Sequence, residues 1–335
     1  MKISKDILVC GVNWLGDACM TMPALQVFKK KHSDCCITML TKPALKPLWE
    51  IYPSVDNIIT LESSFAGMLR TARKIRSHKF QSAYILPNSW RSALIPLMAH
   101  IPNRIGQTGH HRQILLTSRT QLQTTKGHQQ WEYVDILKLE NIKQMPYPVL
   151  LVPEESKIVL EKKLQVEPKT KLIGILPGAA RGPSKQWPQE HYISAAKIIA
   201  KNCKCSFVIM GTKNEAELCN SVCNGIGNHA ISLAGKTTLS ELVAALDLCS
   251  TVLCNDSGGM HLAASAGTPV VAIYGITDSS RTGPLGSGHH IIQAENVKVS
   301  REISRDSQEA RDALKSISPD KVAQAALSVL HEQKD

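Results

Sequence analysis

Aromatic residues are scarce in this chain: Phe, Tyr and Trp together make up 4% of its 335 residues. Proteins that grip single-stranded nucleic acid stack bases on aromatic platforms set among cations, and no basic-aromatic repeat is present, so a nucleic-acid partner is not expected. No apolar run approaches the length of a membrane span, and Ile7-Leu8-Val9-Cys10 is far too short for the apolar region of a secretory signal. The 10 cysteines show no framework. Cys35 and Cys36 are adjacent, Cys203 and Cys205 alternate, Cys219 and Cys223 lie one helical turn apart, and no doubled C-x-x-C occurs. A reduced, cytosolic setting without a metal centre is the simplest expectation. The chain also lacks G-x-G-x-x-G, a Walker A sequence and a D-x-D triplet, which argues against the dinucleotide and P-loop modes of phosphate binding.

What is present is a globular, basic sequence. Hydrophobic residues reach 43% and charged residues 20%, and 39 Lys and Arg against 28 Asp and Glu leave a net charge of +11. Such an excess favours anionic partners: nucleic acid in general, a phosphorylated sugar, or an acidic membrane surface. The length exceeds one ordinary core and suggests two domains. Short apolar runs alternate with amphipathic segments from end to end, the pattern of parallel strands covered by helices. In the first half, strands are expected at 7–10, 36–40, 57–60 and 82–86, with helices at 18–32, 44–51 and 63–77. In the second, strands are expected at 171–176, 206–210, 231–233, 251–254 and 270–274, with helices at 189–202, 214–223, 239–246 and 260–266. Pro146, Pro148 and Pro153 disfavour helix between the two series and predict an extended connector. The domains are therefore expected over 1–155 and 156–335, with a last helix at 319–331 that could pack back on the first domain. The fold class is α/β, two doubly wound Rossmann-like sheets whose carboxyl ends face a cleft, where ligands bind in such folds.

The candidate chemistry sits at the strand ends. Asn255-Asp256-Ser257-Gly258-Gly259-Met260-His261 joins a buried strand to a helix, and its backbone N–H groups point outward at the positive end of the helix dipole. It reads equally as a phosphate site or as an ordinary helix cap. The loop from Pro177 and Gly178 through Arg181 to Lys185-Gln186-Trp187 adds flexibility and positive charge at another strand end, so a shared diphosphate becomes the better reading of the two loops together. Met210-Gly211-Thr212-Lys213-Asn214-Glu215 is a third such turn, with Glu215 placed either to accept from paired ribose hydroxyls or simply to start a helix. Asp17 follows Gly11-Val12-Asn13-Trp14-Leu15-Gly16 at a helix start. It is either a general base for a hydroxyl or a carboxylate complementing the helix dipole.

Taken with Leu86-Pro87-Asn88-Ser89-Trp90-Arg91-Ser92-Ala93-Leu94 and Ile101-Pro102-Asn103-Arg104-Ile105-Gly106, these motifs resemble, in order and over most of the chain, the ADP-heptose:lipopolysaccharide heptosyltransferases of glycosyltransferase family 9, heptosyltransferase II above all. The resemblance implies a GT-B architecture, with the donor ADP-heptose held by the C-terminal domain and a lipopolysaccharide inner-core acceptor of Kdo, heptose and lipid A held by the N-terminal one. It further implies inverting transfer, most directly of the second heptose, by a cytoplasmic enzyme with no obligatory cofactor and peripheral contact with the inner membrane. Residue by residue, Asp17 matches the catalytic base, Lys185 the cation on the diphosphate, Glu215 the ribose ligand and Thr237 a neighbour of the adenine. Gly178, Met210, Asp256, Ser257, Gly258, Gly259 and His261 match the donor pocket. Residues 109–126 and 300–313 depart from the family pattern. Lys42, Lys46 and Arg91 are the candidate cations for an anionic acceptor, with ordinary surface cations as the other reading. A glycosyltransferase with another nucleotide sugar or acceptor, or a non-catalytic nucleotide- or glycan-binding protein, are the competing functions; retention of Asp17 argues against the last.

Overall fold

A computed structural model describes residues 5–109, 111–122, 127–164, 170–299, 304 and 306–332. Parts of the two stretches that depart from the family pattern, at 110, 123–126, 300–303 and 305, lie outside these residues. The chain divides into two compact units, Met1–Leu151 and Val152–Asp335.

In the first unit, β1 (Asp6–Cys10), β2 (Cys36–Thr41), β3 (Asn57–Thr60), β4 (Ser82–Ile85), β5 (Asn103–Gln107) and β6 (Ser118–Thr120) form a parallel sheet in the order β3-β2-β1-β4-β5-β6. The helices are α1 (Leu15–Lys31), α2 (Lys46–Glu50), α3 (Phe65–Ser77), α4 (Trp90–Met98) and α5 (Gln130–Ile136). The chain first builds outward from β1 through β2 to β3, then returns to place β4 on the other flank of β1. That reversal puts a switch point between β1 and β4, where loops diverge and leave room for a ligand. Residues 44–51 do not make one helix as expected: a 3₁₀ turn at Pro43–Leu45 precedes α2, because Pro43 and Pro47 withhold backbone donors. Proline also stands inside α1 at Pro23 and inside α4 at Pro96. Both side chains are buried, so tertiary packing offsets the missing hydrogen bond.

In the second unit, α6 (Glu154–Leu164) leads into β7 (Lys171–Leu176), α7 (Gln189–Asn202), β8 (Cys205–Ile209), α8 (Ala216–Ile226), β9 (Ala230–Ser232), α9 (Leu239–Asp247), β10 (Thr251–Asn255), α10 (Gly258–Ser265), β11 (Val270–Tyr274), α11 (Ser279–Thr282), β12 (His290–Gln293), α12 (Gln308–Lys315) and α13 (Pro319–Glu332). The parallel sheet runs β12-β11-β10-β7-β8-β9, with its switch point between β7 and β10. Strands β7, β10 and β11 are buried along nearly their whole length, which is why they read as unbroken apolar runs. The last helix, α13, packs on α7 and over β10 and β11 of its own unit; Val322, Ala323, Ala326, Val329 and Leu330 join the core there. The extended connector ends sooner than expected, since helix resumes at Glu154 directly after Pro153. No helix among the described residues is long and apolar enough to cross a membrane.

Candidate active site

Four adjacent strands of the second unit, β10, β7, β8 and β9, deliver the expected donor residues to one edge of the sheet. Asp256 to Gly259 follow β10, Gly178 to Lys185 follow β7, Glu215 follows β8 and Thr237 follows β9. Asn255, the last residue of β10, rivets two of these loops together. Its Oδ1 accepts from the Trp187 backbone N–H and the Tyr192 hydroxyl, both at 2.9 Å, and its Nδ2 donates to the carbonyls of Pro177 at 2.7 Å and Gly178 at 3.3 Å. Asn255 is completely buried, so each of its polar atoms needs these partners. The Trp187 indole stacks edge-on against Tyr192 and donates from Nε1 to the Ile317 carbonyl at 3.1 Å, anchoring the far end of the β7 loop. At the middle of that loop Gly182 has φ +96, where a side chain would be strained.

Lys185 meets Asp256 as an ion pair between these two loops, with side chains only 11% and 9% exposed. Ser257 caps α10 in extended conformation without a side-chain hydrogen bond, and Gly258 and Gly259 open the helix. The amides at this N-terminus therefore stand beside a lysine, the arrangement that holds a phosphate oxygen. Gly259 also answers a packing demand, since a Cβ there would come within 2.9 Å of Leu176. His261 is buried in α10. Tyr274 lies behind the site. Burial, and after it the negative charge of Asp256, push its phenol well above the ordinary value, so it stays neutral and donates to the Thr282 carbonyl at 2.6 Å.

Two of the expected donor-site side chains are engaged within the chain. Met210 is 1% exposed, and its methyl group packs over Gly174; its side chain belongs to the core, because the position still lies in line with the buried β8. Glu215 closes a capping box instead of standing free: its Oε2 accepts from the Thr212 N–H at 2.8 Å and hydroxyl at 2.7 Å. Its Oε1 would lie 2.0 Å from a Cβ on Gly178, so a side chain at 178 would have to displace the Glu215 carboxylate. Thr237 is half-buried, immediately before the N-cap of α9.

In the first unit, Asp17 occupies the first turn of α1, directly after β1 at the switch point. Gln129 donates from Nε2 to its Oδ1 at 3.4 Å and to the Tyr133 hydroxyl at 3.1 Å. Burial, then the charge of Asp17, hold the Tyr133 phenol far above its usual range. The Asp17 carboxylate is thus tethered from the N-cap of α5, 112 residues away, a contact with no local sequence signal. Lys42, Lys46 and Arg91 share this edge but do not act as three free cations. Lys46 is paired with Glu50 one helical turn on. The Arg91 guanidinium donates to the carbonyls of Glu62 at 2.8 Å and Ser63 at 2.7 Å, fastening the loop before α3. Lys46 and Arg91 thus have acceptors within the chain.

The sequence profile of glycosyltransferase family 9, the heptosyltransferases, matches residues 68–311. The chain belongs to this family. It is 29% identical to lipopolysaccharide heptosyltransferase 2 of Salmonella typhimurium, over 98% of this chain and 99% of that one. It is 30% identical to lipooligosaccharide heptosyltransferase 2 of Haemophilus influenzae, over 88% and 91%. Among solved structures, E. coli ADP-heptose heptosyltransferase II superposes with a TM-score of 0.86 at 27% identity, covering 98% of this chain and all of that one. A family 9 protein from Veillonella parvula shares the fold, with a TM-score of 0.87 at 24% identity and 99% coverage of each. The protein is a family 9 glycosyltransferase with the GT-B class of fold.

Proposed function

We propose that this enzyme transfers a heptose from ADP-L-glycero-D-manno-heptose, with inversion, to the inner core of lipopolysaccharide, at the position of the second heptose. The observation that carries the reading is the Lys185–Asp256 pair set against the N-terminus of α10 and riveted by Asn255. A nucleoside diphosphate is the leaving group that such a site stabilises, as charge builds on it, through a cation and oriented amides. Lys185 passes from Asp256 to the diphosphate, while Gly178 and Glu215 border the ribose and Thr237 the base. Asp17 takes the proton of the acceptor hydroxyl, a general-base role worth roughly 10²–10⁴-fold in rate. Lys42 and the cations beside it attract the anionic core sugars. The reaction belongs at the cytoplasmic face of the inner membrane, in peripheral contact with it. Measuring ADP release from ADP-heptose with and without heptose-deficient lipopolysaccharide, followed by NMR of the new anomeric linkage, tests this. Acceptor-independent ADP release, or retention at the anomeric carbon, refutes it.

A further inference from the structure

Arg112 is completely buried, yet none of its hydrogen-bond partners is a carboxylate. The Nε and Nη2 groups donate to the Gln107 carbonyl at 3.1 and 2.9 Å. Nη1 donates to the carbonyls of Pro87 at 2.5 Å and Ser89 at 3.2 Å and to the Ser92 hydroxyl at 3.3 Å. The Pro87 and Ser89 carbonyls also accept from Ser92 Oγ, at 3.2 and 2.7 Å. The two carbonyls that flank Asn88 are therefore turned inward and clamped, which fixes the loop between β4 and α4. Burying a guanidinium on neutral partners is costly, and a surface loop with its own Ser89 cap does not require it.

The residue held between the clamped carbonyls is Asn88. Its Oδ1 is buried and has no hydrogen-bond partner, an exception among buried polar atoms. The carboxamide lies against Gly109, where a Cβ would come within 2.8 Å of Nδ2 and where φ is +146. Leu86, two residues earlier, donates its N–H to the Cys10 carbonyl at 3.1 Å, so the loop leaves β4 directly beside the end of β1. Asn88 is thus on the switch-point edge of the first unit, in the loop after β4, the strand next to the one that leads to Asp17.

We propose that the Asn88 carboxamide, part of a side chain that is only half-buried, turns when the acceptor sugar arrives so that Oδ1 accepts a hydrogen bond from one of its hydroxyls, and that Arg112 is the positioning residue that holds Asn88 in place by clamping the carbonyls on either side of it. The inference rests on the transfer reaction proposed above. A sugar hydroxyl supplies the donor that Oδ1 lacks, and a site built to hydrogen-bond a hydroxyl discriminates strongly against an analogue without one.

Steady-state kinetics of the full chain with ADP-heptose and heptose-deficient lipopolysaccharide test it. Asn88→Ala should raise the acceptor KM on the order of tenfold or more, with the ADP-heptose KM and the ADP affinity unchanged. Asn88→Asp keeps an acceptor oxygen and should stay within about threefold of the parent, a rescue that a purely structural role would not produce. Arg112→Lys, which retains the charge but not the forked donors, should raise the acceptor KM similarly. The double variant Asn88→Ala/Arg112→Lys should be no worse than Asn88→Ala, because the arginine acts through the asparagine. If Arg112→Lys loses its cooperative melting transition, the Asn88 variants decide alone. An unchanged acceptor KM in Asn88→Ala, or an Asn88→Asp variant as impaired as Asn88→Ala, overturns the inference while leaving the transfer reaction intact. Failure of the parent enzyme to use the acceptor at all overturns both.

Discussion

Truncating Lys185 and Asp256 singly and together separates the structural from the functional work of their ion pair. With 11% and 9% of the side chains exposed, either truncation leaves a nearly buried charge without its counter-ion. Breaking a fully buried pair from one side costs about 3–5 kcal/mol. Residual solvent contact reduces this, and about 2–3 kcal/mol is expected for Lys185→Ala or Asp256→Ala alone. For a unit of this size each kcal/mol moves the melting temperature by about 2–4 °C, so each variant should melt about 4–12 °C lower. The double variant removes both charges, and its loss should fall short of the sum by about 2 kcal/mol. Calorimetry of ADP binding then assigns the functional part. Lys185→Ala should weaken ADP by about 1.5–3 kcal/mol, the worth of a hydrogen bond to a charged group. Asp256→Ala should bind ADP at least as tightly as the parent, because the lysine no longer has to leave a carboxylate. Additive losses in the double variant would show that the two charges do not stabilise one another. An ADP affinity lowered equally by both truncations would refute the exchange of Lys185 from Asp256 to the diphosphate.

Asp17→Asn should lower kcat by roughly 10²–10⁴-fold while ADP affinity measured by calorimetry is retained; a near-normal kcat at saturating acceptor would remove Asp17 from the role of base. Asn255→Ala strips four hydrogen bonds from the junction of the β7 and β10 loops and should destabilise the enzyme by about 3 kcal/mol or more in urea titration, with ADP binding weakened as well; a loss under about 1 kcal/mol would show that the loops hold without it. Seven of the 10 cysteines are buried, and Cys36, Cys203 and Cys223 are partly exposed. Burial pushes the thiols of Cys10, Cys205 and Cys219 up to about 12 and that of Cys35 to about 11, so at pH 8 they are protonated and shielded. A disulfide-exchange reagent should therefore titrate about three thiols quickly in the native enzyme and all ten in denaturant, and fast reaction of more than five would contradict the packing described for these strands.

Most strands were legible because their burial is continuous. Val270-Val271-Ala272-Ile273-Tyr274 is buried at every position, and an apolar run of that length between turn signals has the signature of a strand covered on both faces. The elements that the sequence conceals are those that bury little or bury it unevenly. In β12 only Ile292 is buried, since it is the edge strand. In α6 only Leu160 and Leu164 are buried, and β5 begins with the polar pair Asn103-Arg104. Pro96 masked α4, because a proline inside a helix contradicts local propensity and survives only where packing compensates.

The sequence by itself determined the two βα series, the turns that would carry phosphate chemistry and the family to which they belong, because strand burial and glycine-bearing turns act over a few residues and leave a local pattern. Tertiary structure alone decided what each candidate side chain touches. Lys185 and Asp256 are 71 residues apart, Asn255 and Pro177 are 78 apart, and Asp17 and Gln129 are 112 apart. Parallel strand order brought each pair to one sheet edge, and no local periodicity encodes a contact of that range. The same geometry withdrew Met210 into the core, turned Glu215 into a cap and spent Arg91 on backbone carbonyls. A side chain's partner is set by which acceptor the folded chain places nearest, and that distance exists only after the sheets are assembled.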